Sequence, residues 1–190
     1  MTIQSDHVLD AKGLACPMPI VRTKKAMDTL EHGQVIEVQA TDKGSLADIQ
    51  AWAKSSGHQY LCSTEEGEVL KHYLRKASET EAKEDKEFPH TVQNEALHQM
   101  LGAEESVTIL DVREPAEYSF GHIPGAKSIP LGELANRIDE LDKVNEIYVV
   151  CRTGSRSDLA SKQLANNGFE KVKNAVQGMV EWTGPIEKDQ

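Results

Sequence analysis

The sequence predicts an α/β protein made of two small domains. Helical and strand-like patterns alternate along both halves of the 190 residues, and a charged segment without apolar periodicity, residues 78–88, separates them. The first domain, residues 5–77, is predicted as a two-layer sandwich of order β-α-β-α-β-β with both helices on one face of a mixed sheet. In the second, residues 89–187, strands separated by helices predict a parallel sheet with helices on both faces.

The first half shows one helix with both of its end signals. Pro17 fits the first helical position, Ile20, Met27 and Leu30 form an apolar stripe, and Gly33 ends the pattern. The other elements follow from alternation, from apolar spacing and from turn residues. Strands are predicted at 7–13, 34–40, 58–64 and 68–76, and helices at 16–33 and 43–57.

The second half contains two clear buried strands. EIYVV, residues 146–150, is a short β-branched and aromatic run, and SVTILDVR, residues 106–113, has a similar character. Residues 115–130 are predicted to be mostly loop, with a helical turn near 116–120. Helices are predicted at 91–102, 132–141 and 157–168, with a short one at 179–182.

Composition favours a globular protein of the cytoplasm. The net charge of −10 argues against a nucleic-acid surface as the main function. The acidity lies late in the chain, since residues 1–78 hold 9 basic and 10 acidic residues and the remainder hold 12 and 21. No signal peptide is expected at the N-terminus, and no apolar stretch approaches the roughly 20 residues that span a bilayer. Three widely spaced cysteines predict no disulfide framework.

The segment CRTGSR, from Cys151 to Arg156, places a thiol between a predicted buried strand and a predicted helix. Open α/β sheets bind ligands at the carboxyl ends of their strands, and helix N-termini favour anions. Gly154 permits a tight curl that turns successive N–H groups inward, while Arg152 and Arg156 can grip an oxyanion with two prongs. Because only the thiolate is nucleophilic, we expect the loop to stabilise it without a histidine base.

The spacing in this loop separates two chemistries. Cysteine-dependent phosphatases place five residues between cysteine and arginine, whereas four separate Cys151 from Arg156, and a smaller cradle suits one extra sulfur better than phosphate or arsenate. With DVREPAEYSFGHIPGA at 111–126, residues 90–183 resemble a single-domain rhodanese. The resemblance implies the rhodanese fold and a sulfurtransferase in which Cys151 carries sulfane sulfur as a persulfide. The residues whose loop amides would bind that anion are Arg152, Thr153, Gly154, Ser155 and Arg156.

Other polar residues of the second half are predicted to be structural. Arg113, Glu114 and Glu117 are expected to form ion pairs that support the loop, and Asp111 to brace a turn. His122, beside an Ile-Pro pair, is expected to be a hydrogen-bonded histidine and not a base.

A second cysteine stands at the start of the first predicted helix. Cys16 directly precedes Pro17, so its sulfur is expected to be exposed and to face the free N–H groups and positive dipole end of that helix. DAKGLACPMP, residues 10–19, resembles the signature of TusA-type (SirA-like) sulfur carriers over roughly residues 6–76. The resemblance implies that Cys16 carries sulfur as a persulfide and passes it to partner proteins. Cys62, within a predicted strand, is assigned no chemistry.

Two such cysteines on one chain predict a sulfur relay. A small donor, thiosulfate or glutathione persulfide, would load Cys151, and Cys16 would pass the sulfur to acceptor proteins. Neither a metal nor a cofactor besides the persulfide is expected, because the histidines are scattered and no Cys-x-x-Cys or nucleotide-binding glycine loop occurs. Three alternatives stay open: a rhodanese with a docking or regulatory first domain, a persulfide or redox sensor, and a phosphatase or arsenate reductase. The oligomeric state, the donor and the acceptor are not fixed by the sequence.

Overall fold

The computed structural model describes residues 3–78, 87–101 and 107–189. The chain forms two compact units, which divide between residues 82 and 83. Most of the predicted linker, 78–88, therefore lies outside the described residues. No helix in the described ranges is long and apolar enough to cross a membrane.

The first unit has the predicted element order. Its strands are β1 (His7–Asp10), β2 (Val35–Ala40), β3 (Gln59–Glu66) and β4 (Val69–Arg75), and its helices are α1 (Met18–Thr29) and α2 (Ser45–Ser55). The sheet order is β1-β2-β4-β3, with β1 and β2 parallel and the other pairs antiparallel. The predicted mixed sheet is confirmed.

Both helices cover the same face of this sheet. Alternate strand residues and the inner faces of α1 and α2 contribute to one buried cluster. Its members are Ala11, Met27, Leu30, Ile36, Val38, Ile49, Ala53 and Leu74. Helix α1 begins at Met18, two residues after the start of the predicted segment 16–33, and Pro17 occupies the N-cap and not the first helical position.

The second unit is built on an all-parallel sheet of order β5-β9-β8-β6-β7. Its strands are β5 (Thr91–Val92), β6 (Val107–Asp111), β7 (Lys127–Ser128), β8 (Glu146–Val150) and β9 (Val172–Ala175). Its helices are α3 (Asn94–Leu101), α4 (Pro115–Phe120), α5 (Leu134–Arg137) and α6 (Ser155–Asn166).

Two hydrophobic clusters show that both faces of this sheet are covered, as predicted. Leu110, Ile147 and Val149 point into one cluster with α6, while their neighbours Ile109 and Tyr148 point into the other with α3. Strand side chains alternate between faces, so each strand feeds both clusters.

Two predicted helices differ from the structure. Thr91 and Val92 belong to strand β5, which pairs with β9, and not to the predicted helix. The prediction missed this strand because two residues are too few to show alternation. The helix predicted at 132–141 is a four-residue α-helix flanked by 3₁₀ turns at Leu131–Glu133 and Ile138–Glu140. Its apolar residues, Leu131, Leu134, Ile138 and Leu141, are spaced by three, four and three, and a spacing of three matches the 3₁₀ period.

Candidate active site

Cys151 lies where the sequence predicts it, directly after β8 and at the start of the loop that leads into α6. Its side chain is buried, and Gly154 N–H donates to Sγ at 3.1 Å. Gly154 precedes α6 with a φ of 95°, a left-handed conformation that glycine adopts without steric cost. The predicted curl is therefore present, and it directs one backbone donor at the sulfur.

A buried hydroxyl and a buried amide complete the polar surroundings of the sulfur. Ser157 Oγ lies 3.3 Å from Cys151 Sγ and 2.5 Å from Asn174 Oδ1. Asn174 Nδ2 in turn donates to Gly154 O at 3.2 Å. Ser157 and Asn174 are 0% exposed, so water does not compete for these groups. Neither residue was predicted from the sequence to have a role at this site.

The side chain of Arg156 forms a buried ion pair. Its guanidinium is buried against α4 and donates from Nη1 and Nη2 to the two carboxylate oxygens of Glu117, at 2.7 and 2.8 Å. The two-pronged grip on a substrate oxyanion stays a prediction, because Nη1 and Nη2 are here both engaged with Glu117. Arg156 ties the first turn of α6 to α4.

The predicted ion pairs are confirmed for Arg113, which pairs with Asp111, and for Glu117, whereas Glu114 takes part through helix capping. Glu117 also accepts the N–H of Glu114 at 3.0 Å, in a reciprocal capping box at the start of α4. Asp111, at the end of β6, accepts from Arg113 N and from its guanidinium, which holds the following turn. His122 Nδ1 lies 2.9 Å from Tyr118 O and the two rings stack, which makes His122 structural.

The backbone at the start of the loop is hydrogen-bonded to the segment after β9. Met179 N–H donates to Cys151 O at 2.8 Å and Val180 N–H to Arg152 O at 3.0 Å. At Gly178, with a φ of 66°, an added Cβ would lie 2.5 Å from Arg152 C and 2.7 Å from Thr153 N. Only glycine fits this close approach. The sequence offered one signal for this role of Gly178, the glycine at the end of residues 169–178, and no role was predicted from it.

The remaining predicted loop residues border the thiol site more loosely. Thr153 is exposed, and Arg152 and Ser155 are half-buried. Among the described residues of the loop, Gly154 is the one whose N–H is seen to donate to Sγ. The predicted nest of several inward amides is not tested beyond this bond.

Cys16 lies in the first unit, exposed and just before the N-cap of α1, as predicted. The free amides expected there are not available, because Pro17 and Pro19 lack an N–H and Met18 and Ile20 donate to Ala15 O and Pro17 O, at 3.0 and 3.1 Å. The side chain of Asp48 raises the pKa of Cys16, with smaller contributions from desolvation and from Asp42. Cys16 is thus a thiol whose negative charge is disfavoured locally.

The third cysteine, Cys62, lies away from both predicted sulfur sites in the chain, within a strand of the first unit. Cys62 is half-buried in β3, beside an irregularity in the pairing with β4. Across the described ranges, no three His, Cys, Asp or Glu side chains are grouped so that they could hold a metal ion.

Family models match both units. The model described as Sulfurtransferase TusA matches residues 7–76, and that of the Rhodanese-like domain matches residues 93–185. The protein named "Putative sulfur carrier protein YrkF" of Bacillus subtilis (strain 168) is 52% identical over 180 residues, which cover 95% of this chain and 97% of that protein. Both predicted resemblances are confirmed.

Each unit also matches proteins that consist mainly of one domain. Sulfur carrier protein TusA of Allochromatium vinosum is 48% identical over 38% of this chain and 95% of that protein. A Sulfurtransferase of the same organism is 34% identical over 48% of this chain and 85% of its own length. The crystal structure of a rhodanese-like domain protein from Staphylococcus aureus covers 53% of this chain and 99% of that chain, with 29% identity and a TM-score of 0.51.

Proposed function

The chain belongs to the family that joins a TusA domain to a rhodanese-like domain, and we propose that it takes sulfane sulfur from a small donor onto Cys151 and delivers it through Cys16 to acceptor proteins. Both domain families are associated with sulfur transfer. The donor class proposed is thiosulfate or a low-molecular-weight persulfide, the acceptors are proteins, and the compartment is the cytoplasm.

One observation carries the uptake step: a buried thiol at a strand end, held by a backbone N–H and a hydroxyl before a helix N-terminus. Donors of this kind stabilise a sulfur anion. The Cys151 thiolate attacks the outer sulfur of thiosulfate, the S–S bond of thiosulfate breaks, and sulfite leaves with the electron pair. The persulfide formed on Cys151 then bears the negative charge on its outer sulfur.

The ion pair of Arg156 counts against phosphate or arsenate chemistry in this loop. An oxyanion with three free oxygens needs several strong donors, and arginine is the side chain best suited to supply two of them. Here those two donors are bound to Glu117 at 2.7 and 2.8 Å. In the proposed uptake from thiosulfate only the outer sulfur becomes bonded to Cys151, and the three oxygens leave with sulfite. The loop then holds one sulfur on Sγ, to which Gly154 N–H donates.

The delivery step is proposed for Cys16 because its thiol is exposed at the surface of the carrier domain. The Cys16 thiolate attacks the outer sulfur of the Cys151 persulfide, the S–S bond breaks, and the electron pair returns to Cys151 Sγ. Because the pKa of Cys16 is raised, chiefly by Asp48, the Cys16 thiol must lose its proton before it attacks.

The tether limits how one chain could perform this delivery. Cys16 precedes α1, whereas the chain leaves the first domain near the other end of α1, where Lys76 Nζ donates to Leu30 O at 2.7 Å. The 12 residues of α1 cover about 18 Å. The segment between Ser78 and Glu87 spans at most about 30 Å. Transfer within one chain and transfer between two copies are therefore both proposed, and mixing single variants distinguishes them.

Intact-protein mass spectrometry after incubation with thiosulfate tests the proposal. Wild type, Cys16→Ser, Cys151→Ser and the matched control Cys62→Ser are compared, and the added sulfur is located by peptide mapping. We expect Cys151 to load without Cys16, Cys16 to load only when Cys151 is present, and the Cys62 variant to behave as wild type. Mixing Cys151→Ser with Cys16→Ser then reports transfer between chains.

The outcomes separate the alternatives. Loading of Cys151 in every variant with no loading of Cys16 would leave a rhodanese whose first domain only docks or regulates. No loading from thiosulfate or from glutathione persulfide would remove the proposal, and a disulfide on non-reducing electrophoresis would then favour a sensor.

A further inference from the structure

The hydroxyl of Ser157 has one proton and two acceptors within reach. Asn174 Oδ1 lies 2.5 Å from Ser157 Oγ, and Cys151 Sγ lies 3.3 Å from it. All three residues are buried, Ser157 and Asn174 completely. A serine hydroxyl donates only one hydrogen bond, so at any moment Ser157 donates to the amide or to the sulfur.

The orientation of the Asn174 amide is fixed by its other partner. Gly154 O accepts and cannot donate, so the group of Asn174 that faces it at 3.2 Å is the Nδ2 amine. Oδ1 therefore faces Ser157 and can only accept. When Ser157 donates to Asn174, its oxygen is left as an acceptor for the Cys151 S–H.

From this geometry we infer that Ser157 and Asn174 form a proton switch beneath Cys151, set by the charge on Sγ. With a neutral thiol, S–H donates to Ser157 and Ser157 O–H donates to Asn174. When the thiol proton leaves for solvent, the Ser157 O–H turns to the thiolate, and Asn174 Oδ1 loses its donor. Asn174 thus competes with the sulfur for the proton of Ser157, and acts on the sulfur through Ser157 as a positioning residue.

During the proposed sulfur transfer, on which this part of the inference rests, the acceptor of the Ser157 proton changes with the charge on Cys151 Sγ. In the persulfide the negative charge is on the outer sulfur, Sγ is neutral, and Ser157 donates to Asn174. When an acceptor thiolate takes the outer sulfur, the S–S bond breaks and its electron pair goes to Sγ, and Ser157 turns back to it. Ser157 therefore stabilises Cys151 as a leaving group, and Asn174 reduces that stabilisation.

The test measures the pH midpoint at which the Cys151 thiolate appears. It uses the ultraviolet absorbance of the full chain in a Cys16→Ser/Cys62→Ser background, from which the absorbance of the same chain with Cys151→Ser is subtracted. A hydrogen bond to a charged group predicts that Ser157→Ala raises the midpoint by roughly one pH unit. Asn174→Leu, which frees the Ser157 proton, lowers it. Ser157→Thr keeps the hydroxyl and should keep the midpoint.

The double variant decides whether Asn174 acts through Ser157. We expect Ser157→Ala/Asn174→Leu to have the midpoint of Ser157→Ala alone. Gly154 O keeps a second donor, the N–H of Asp158 at 3.1 Å, when Asn174 is replaced. The switch is overturned if Asn174→Leu raises the midpoint. It is also overturned if Asn174→Leu shifts the midpoint by the same amount in the Ser157→Ala background, because Asn174 would then only hold the loop. Asn174→Ala serves as the second variant where Asn174→Leu does not fold.

Other charged groups near the loop are the same in every variant compared, so they do not produce the differences. On the loop, on α4 and α6 and at the end of β6 these are Arg152, Arg156 with Glu117, Asp158, and Arg113 with Asp111. Sulfur loading is measured separately by mass: shifted midpoints without loading would keep the switch and remove the proposed function, and loading without shifts would do the reverse.

Discussion

Breaking the buried pair between Arg156 and Glu117 tests whether this arginine supports the loop or binds substrate. The side chains are only 2% and 4% exposed and share two short hydrogen bonds. Removing one member of such a pair leaves an unpaired buried charge, which costs about 3–5 kcal/mol. Glu117→Gln should therefore remove a large part of the roughly 5–15 kcal/mol that stabilises a domain.

Replacing both members should restore most of that loss. In Glu117→Gln/Arg156→Met no charge is left unpaired, and the amide oxygen introduced at position 117 can still accept the N–H of Glu114. Urea unfolding of both single variants and the double variant gives the coupling energy, which we expect to be at least about 2 kcal/mol, on the order found for residues in direct contact.

Sulfur loading of the double variant completes this test. The loop backbone and Gly154 N–H are unchanged in the folded double variant. Cys151 should therefore still take up sulfur from thiosulfate, which intact-protein mass spectrometry measures. A double variant that is folded and stable but does not load would show that the Arg156 guanidinium touches substrate, and would refute the structural role. A double variant whose loss of unfolding free energy equals the sum of the two single losses would refute the coupling.

Three further predictions follow from single contacts. Gly178→Ala should lose stability and sulfur loading, because its Cβ would meet Arg152 C at 2.5 Å; Gly125→Ala has the same positive φ but open space, and should lose only about 1–2 kcal/mol of unfolding free energy. Asp48→Asn should lower the pKa of Cys16 and speed its alkylation by iodoacetamide at neutral pH; an unchanged rate would contradict the effect of Asp48 on this thiol. Burial lowers the pKa of His72 below its usual 6.5, so the first domain should be fully stable above pH 6.5 and lose stability as the pH falls below it, and chemical unfolding against pH should show no such loss in His72→Gln.

The placement of Cys151 could be predicted because its determinants are local. A β-branched run, a cysteine, a glycine and a helical pattern follow one another within about twenty residues, and strand β8 has the predicted bounds, Glu146–Val150. The same holds for Cys16, whose place just before α1 follows from the adjoining Pro17.

The groups that surround the sulfur could not be predicted in this way. Asn174 and Gly178 come more than twenty residues after Cys151 and reach it only because β9 pairs with β8. The direction of the Arg156 side chain depends on α4, which comes before β8 in the chain. Such contacts depend on the sheet order and on helix packing, which no local pattern in the sequence encodes.

The two cysteines lie in opposite electrostatic surroundings, and this bears on the proposed direction of transfer. Gly154 N–H and Ser157 O–H favour a charge on Cys151 Sγ, whereas the carboxylate of Asp48 raises the pKa of Cys16. Transfer from Cys151 to Cys16 leaves a thiolate where donors stabilise it. It also moves the charge at Cys16 to an outer sulfur, one bond farther along the persulfide. Because Cys16 must first lose a proton, the delivery step should speed up as pH rises, and should do so at lower pH in Asp48→Asn, while uptake by Cys151 should not respond to Asp48.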